Sequence, residues 1–274
     1  MKPFFGYPGG KSKASKLIFE KLKISGSPLY IEPFAGAFSF GLFYAEKFQG
    51  NKLWLNEYDT DLYCLWKATV ENTEDLCESI KKIKIYSDLF YELREKLSKK
   101  RPFNKKELME RALEKLIIHK ISFSNLGEKS GSPVGGKKQK NKYKYDFRWK
   151  PDLICNRIKA ISKLISNIKI TNLSYEKVLD QVSIDHLVYC DPPYVDGGPK
   201  CYKNYFSNLQ HAQLADNLMN AKYKWFLTYD NNNLIKCLYK NANIQDLNLK
   251  YSMSSCSQKQ NTVKTVKELL ISNF

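Results

Sequence analysis

The sequence predicts an α/β fold: a doubly wound, mostly parallel sheet that ends in an antiparallel hairpin and carries an inserted, mainly helical subdomain. Three observations predict it. Short apolar runs of strand length recur along the chain, segments of helical periodicity lie between most of them, and two strand-like runs close the chain with no long helix between them. Alternating strands and helices make parallel βαβ units with right-handed crossovers, whereas consecutive strands pair antiparallel.

In chain order, a helical segment at 13–22 precedes a strand at 29–34, which runs into a glycine turn at Gly36 and a helix starting near Ser39. A strand at 52–56 and a helix at 62–70 follow. The alternation then breaks between Thr73 and Pro151. That stretch is first helical and Lys-rich, at 89–97 and 106–120, and continues into a loop at 124–136 whose Gly, Ser and Pro argue against regular structure. Next come Lys137, Lys138, Lys140, Lys142, Lys144, Arg148 and Lys150, interleaved with Tyr143, Tyr145, Phe147 and Trp149. The alternation resumes with a helix at 156–165, strands at 168–173 and 187–190, a helix at 212–221, a strand at 225–229 and a helix at 234–239. Strands at 244–251 and 266–273 close the chain. Residues 1–72 and 151–274 therefore read as the sheet domain and 73–150 as the insertion, with no internal repeat.

The composition narrows the function. With 274 residues and 43% hydrophobic content the chain can bury a proper core. No apolar run reaches the ~18 residues of a membrane span, and the start, Met1-Lys2-Pro3-Phe4-Phe5-Gly6, lacks the apolar core of a signal peptide, so a cytosolic protein is expected. Seven cysteines are odd in number and scattered, none in a CxxC pair, and three histidines are as dispersed. That predicts free, mostly buried thiols and no metal site. The balance of 45 Lys+Arg against 28 Asp+Glu gives +17, a surface that collects polyanions, nucleic acid first among them.

Four short segments carry chemistry. Asp191-Pro192-Pro193-Tyr194 follows the apolar run 187–190 directly. Ligands in open α/β sheets bind at the carboxyl ends of strands. An exocyclic amine is a poor nucleophile because its lone pair is delocalised into the ring. Two acceptors aimed at its N–H bonds, the Asp191 carboxylate and the Pro192 carbonyl, would free that lone pair. The prolines fix φ and hold both acceptors in place, and Tyr194 offers a stacking face worth ~1–3 kcal/mol. The other reading of the same tetrapeptide is a Pro-rich turn in which Asp191 caps the next helix.

The second segment, Tyr30-Ile31-Glu32-Pro33-Phe34-Ala35-Gly36-Ala37, is a strand entering a glycine turn that lets a ligand approach the backbone. The third, Asn56-Glu57, ends the next strand about 20 residues on, where an acidic residue binds ribose hydroxyls in such folds. The fourth is Tyr7-Pro8-Gly9-Gly10-Lys11-Ser12. Gly-Lys-Ser suggests a phosphate-binding loop, but that loop needs a glycine where Phe5 stands, and no strand precedes it.

In this order the four segments resemble the Dam-type family of adenine-specific DNA methyltransferases, over nearly the whole chain. The resemblance implies a Rossmann-like methyltransferase domain with a target-recognition insertion at 73–150, S-adenosylmethionine as cofactor and double-stranded DNA as partner. It implies Asp191, Pro192, Pro193 and Tyr194 as catalytic residues. It implies Tyr7, Gly9, Gly10, Lys11, Glu57 and Asp191 as cofactor contacts, with Glu32, Pro33, Phe34 and Gly36 along the methionine end and Ser174 and Tyr175 beside the cofactor adenine. Lys129, Lys137, Lys138, Lys140, Lys142, Lys144 and Arg148 are expected to meet DNA, and the 124–136 loop to enter a groove or fill the gap left by a flipped base. A solvated lysine face above packed aromatics is the other reading of that segment. A cognate restriction endonuclease is a partner that the resemblance allows, while the sequence sets neither its presence, nor the oligomeric state, nor the recognition sequence.

Four positions depart from the family pattern: Glu57 and Ser174 stand where Asp is usual, and Ala37-Phe38 where small residues follow the glycine. Methylation of cytosine N4 or of adenine in RNA, and a catalytically inactive DNA-binding protein of the same fold, remain open at this point. Ser rather than Asp heads the motif more often among cytosine enzymes, which favours adenine.

Overall fold

The structure is a computed structural model that describes residues 1–99, 101–252 and 263–274. Its described residues form one seven-stranded sheet: β1 (Leu29–Glu32), β2 (Lys52–Asn56), β3 (Ile168–Thr171), β4 (Leu187–Cys190), β5 (Lys224–Asp230), β6 (Asn243–Ser252) and β7 (Val263–Ser272). The order across the sheet is β3-β2-β1-β4-β5-β7-β6. The strands are parallel as far as β5, and β7 runs antiparallel to both its neighbours, with Asp230 opposite Glu268. The predicted mostly parallel sheet with its closing hairpin is present. Strand order reverses between β1 and β4, and at such a switch point the carboxyl ends of the strands open a crevice.

The helices are α1 (Ser15–Leu22), α2 (Ser39–Lys47), α3 (Thr60–Glu71), α4 (Thr73–Lys82), α5 (Leu89–Ser98), α6 (Leu108–Ile121), α7 (Pro151–Leu164), α8 (Tyr175–Leu179), α9 (Gly198–Cys201), α10 (Asn208–Met219) and α11 (Asn233–Leu238). Side chains alternate between two layers because successive residues of a strand face opposite ways. Tyr30, Leu53, Leu55, Leu187, Tyr189 and Phe226 join one apolar cluster, and Ile31, Trp54, Val188, Cys190, Trp225 and Leu227 the other. A sheet buried on both faces explains why its strands read as continuous apolar runs.

Several boundaries shift for local reasons. β1 stops at Glu32 and β3 at Thr171, earlier than expected, because the Asn56 side chain takes over the next backbone groups. Its amide donates to the carbonyls of Pro33 (2.9 Å) and Leu173 (3.0 Å), and its oxygen accepts from the Leu173 N–H (2.9 Å). α7 starts five residues before the expected point, at Pro151, whose missing N–H costs nothing in a first turn. α8 and α9 are too short for periodicity to reveal.

Residues 73–150 are helical through α6 and then run through turns and two single-turn 3-10 helices at 123–125 and 127–129. Their apolar side chains, among them Leu76, Phe90, Leu97 and Leu116, lie in the same cluster as Phe4, Phe5 and Trp66. Cys64, Cys77, Cys155 and Cys190 are buried free thiols, Cys201 is half-buried and Cys237 exposed, while Cys256 lies outside the described residues. Among the described residues no helix is long and apolar enough to cross a membrane.

Candidate active site

The carboxyl ends of β1, β2, β3 and β4, together with the segment before α1, enclose a cleft of about 1130 Å³ counting its open mouth. Tyr7, Gly10, Lys11, Glu32, Pro33, Phe34, Gly36, Glu57, Ser174, Tyr175, Asp191 and Pro193 line it, so segments far apart in sequence meet there. Gly36 turns the chain from β1 toward α2 at φ +50, and a Cβ on it would lie 2.9 Å from a ring carbon of Tyr7. Only glycine combines that backbone with that close approach. Phe38 also takes the left-handed region, at φ +50, and its ring fills the space that a side chain at Gly41 would occupy. The bulky residue after the turn is thus accommodated inside the core, not in the cleft. At the apolar end, the rings of Phe34, Tyr175 and Phe206 lie 5.4–5.7 Å apart.

At the other end stands Asp191, just past β4. Lys11 Nζ lies 2.9 Å from each carboxylate oxygen and donates to the Gly9 carbonyl at 2.7 Å. It is 3.8 Å from Glu268 Oε2 on β7 and 4.9 Å from the Tyr194 ring centroid. Thr228 Oγ1, on β5, donates to Asp191 Oδ1 at 2.8 Å, which leaves Tyr189 to donate its hydroxyl to Thr228 at 2.9 Å. The Tyr194 hydroxyl donates to Glu268 at 2.7 Å. Lys11 is 2% exposed and Glu268 4%, and a buried cation of this kind is stable only because carboxylates flank it. Pro192 is buried. Burial pushes the Glu32 carboxyl well above the usual carboxylate range, against the hydrogen bond that Tyr30 donates to it.

Glu57 directly follows β2, with its Oε2 accepting from the Gly36 N–H (2.9 Å) and its Oε1 from the Asp59 N–H (2.8 Å). Burial and the Asp59 charge push its carboxyl up to about 7. Asp59 caps α3 by accepting from the N–H groups of Asp61 and Leu62, so the acidic loop is fixed by the helix that follows it.

A family profile for D12 class N6 adenine-specific DNA methyltransferases matches residues 7–253. The chain belongs to that family. The match decides among the chemistries left open by the sequence in favour of N6 of adenine in DNA, and Dam-type enzymes are the same family. The chain is also 24% identical over 210 residues to the type II methyltransferase M.MjaIII of Methanocaldococcus jannaschii, across 71% of this chain and 69% of the relative.

Within this D12 methyltransferase the residues expected to meet DNA divide in two. Lys129, Lys137, Lys138, Lys140, Lys142 and Lys144 are exposed. Arg148 is turned inward and donates to the Ser122 carbonyl (3.2 Å) and Asn125 Oδ1 (2.6 Å), so it braces the 122–130 loop. Trp149 anchors the segment in the core, while Tyr143 and Phe147 pair at the surface, ring centroids 4.2 Å apart. Ser174 precedes α8 without capping it.

Sequence reasoning missed Thr228, Glu268, Asp59, Phe206 and Tyr202, which lines the cleft and donates its hydroxyl to the Pro8 carbonyl at 3.0 Å. Thr228 carried a signal, a lone polar residue in an apolar strand, since a buried hydroxyl needs partners. The others carried none.

Proposed function

We propose that this chain transfers a methyl group from S-adenosylmethionine to N6 of an adenine flipped out of double-stranded DNA, with Asp191 as the residue that orients the amine. The observation that carries this reading is the state of the Asp191 carboxylate. Lys11 and Thr228 fix its plane and occupy about three of its roughly four lone-pair positions, leaving one free for an incoming N–H. The prolines after it hold the adjoining carbonyls in one conformation. Tyr194 is held by Glu268, so its ring can receive a base without rotating away.

The cleft fits the cofactor. Glu57 supplies a carboxylate at the strand end for ribose hydroxyls, the glycine turn admits close backbone approach, and Phe34, Tyr175 and Phe206 offer apolar faces to an adenine. When bound there, S-adenosylmethionine supplies the activated methyl group. Gly9, Gly10, Pro33 and Ser174 then belong to its surroundings, and Lys11 holds the Asp191 carboxylate in place beside it. The 122–150 region supports a role in holding duplex DNA, with the exposed lysines on phosphates. A companion restriction endonuclease is a separate proposal, tested by asking whether methylated DNA resists cleavage in extracts.

The test is transfer of a labelled methyl group to unmethylated duplex DNA, followed by identification of the modified base. Wild type yields N6-methyladenine. Asp191→Ala loses at least about a thousandfold in rate with its fold intact, the scale of a preorganised site losing a central group. Activity within tenfold of wild type in a folded D191A protein would sink the mechanism.

A further inference from the structure

Helix α6 carries Lys115 and His119 one turn apart on one face, both 2% exposed. Each meets a residue of the cleft wall on one side and the 122–130 loop on the other. Lys115 Nζ donates to Asp59 Oδ2 (2.7 Å) and to both oxygens of Glu128 (2.9 and 3.1 Å). Asp59 lines the cleft and donates its N–H to Glu57, while Glu128 belongs to the 127–129 turn of the loop. His119 Nδ1 lies 3.1 Å from the Asn125 carbonyl, which can only accept, so that ring nitrogen carries the proton. The same imidazole lies 5.3 Å from the ring of Tyr7, another wall of the cleft.

The loop is shaped around these contacts. Ser124, Asn125 and Gly127 all hold φ between +55 and +58, a region that side chains other than glycine seldom adopt and that persists only when surroundings impose it. Gly127 backs directly onto the imidazole, where a Cβ would sit 3.0 Å from Cε1. The Asn125 side chain fills the space left by Gly6, next to Tyr7, and a Cβ on Gly6 would lie 2.5 Å from it. Phe123, at the head of the loop, is exposed. A shift of the Glu57–Asp59 segment or of Tyr7 is therefore felt at two points of the loop through one rigid helix.

We propose that Lys115 and His119 are positioning residues that couple the cofactor cleft to the 122–130 loop, so that filling the cleft sets the loop for DNA and DNA on the loop tightens the cleft. The coupling rests on the function proposed above and is reciprocal, as any linkage between two binding equilibria must be. Neither residue touches substrate; each acts through Asp59 or Tyr7 on one side and through Glu128 or Asn125 on the other.

The test measures the affinity for a fluorescent duplex that wild type methylates, with and without saturating S-adenosylhomocysteine, which has no methyl group to transfer. The variants are Glu128→Gln and His119→Phe. E128Q keeps size and an acceptor and leaves Lys115 and Asp59 as a balanced pair, so it preserves the fold. H119F keeps a ring against Tyr7 and removes the donor to Asn125. Wild type should bind DNA at least about fivefold more tightly with the cleft filled. Each variant should keep S-adenosylhomocysteine affinity within about threefold, while its DNA enhancement falls below half the wild-type ratio. Folded variants that retain more than half of that ratio, or a wild type that methylates DNA with a ratio of one, overturn the coupling and leave the proposed function standing. A wild type that binds no S-adenosylhomocysteine overturns both.

Discussion

Glu57 holds two backbone N–H groups and stands where cofactor hydroxyls are expected, and its burial sets a pH limit on that role. Burial and the Asp59 charge raise its carboxyl to about 7, outweighing the two N–H donors and Lys115. The ionised form is the better acceptor for hydroxyls, so cofactor affinity should fall as pH is lowered through 7. Affinity for S-adenosylhomocysteine should be about tenfold weaker at pH 6 than at pH 8, following the ionised fraction across that pKa. Glu57→Gln should bind more weakly at pH 8 and show little pH dependence. Stability runs the other way. A folded pKa raised from 4.5 favours the protonated folded form, so this contribution is fully present below pH 4.5 and is lost as pH rises through about 7. Titration calorimetry from pH 6 to 8 checks the binding half, and a flat wild-type profile would remove Glu57 from the cofactor. At this scale the sequence was informative, because a strand-end acid is visible in the order of residues. The neighbour that moves its titration, Asp59 pinned by Lys115 from 56 positions away, was not.

The elements that complete the Asp191 group are β5 and β7. Thr228 reaches it because β5 lies beside β4 in parallel register, and Glu268 because β7 lies antiparallel on β5 opposite Asp230. Thr228→Val keeps the shape, removes one donor from Asp191 and strands the Tyr189 hydroxyl. It should slow single-turnover methylation about tenfold, the effect of about 1.4 kcal/mol at the transition state, with cofactor affinity within about threefold. Glu268→Gln should keep an acceptor for Tyr194 while leaving Lys11 with less negative charge, and should slow the same step. Unchanged single-turnover rates in both would mean that Lys11 alone orients Asp191. Strand positions were legible as continuous apolar runs because both faces of the sheet are buried, whereas the strand order, and with it the switch point, came only from the structure. Glu268 was not, because a charge at a strand margin reads as solvated until the pairing register is known. The ends of β1 and β3 were misjudged for a related reason: Asn56 satisfies their next backbone groups by contacts that no local pattern encodes.

Over the whole molecule the +17 charge was legible as a sum but not as a distribution. Some of its cations are consumed internally: Arg111 and Lys115 are buried on Asp61, Asp59 and Glu128, and Arg148 braces the 122–130 loop. Lys137, Lys138, Lys140, Lys142 and Lys144 are exposed on a segment held by buried Trp149, and by Gln139, which donates to the carbonyls of Val134 (2.9 Å) and Gly136 (2.6 Å). Rigid support with exposed lysines suits phosphates better than bases. Replacing all five by Gln should therefore weaken DNA binding alike at every sequence. It should also make the slope of log K against log salt shallower by about 0.9 for each phosphate no longer neutralised, up to about 4.5. The methylated sequence should not change. Arg148→Gln should behave oppositely, with a small change in salt slope and altered sequence choice, because it releases the loop and not a phosphate. Salt-dependent binding curves for the two proteins, paired with mapping of the methylated sites, separate these outcomes. An unchanged slope in the five-fold variant would make those lysines a solvated face and put the DNA path on another part of the basic surface.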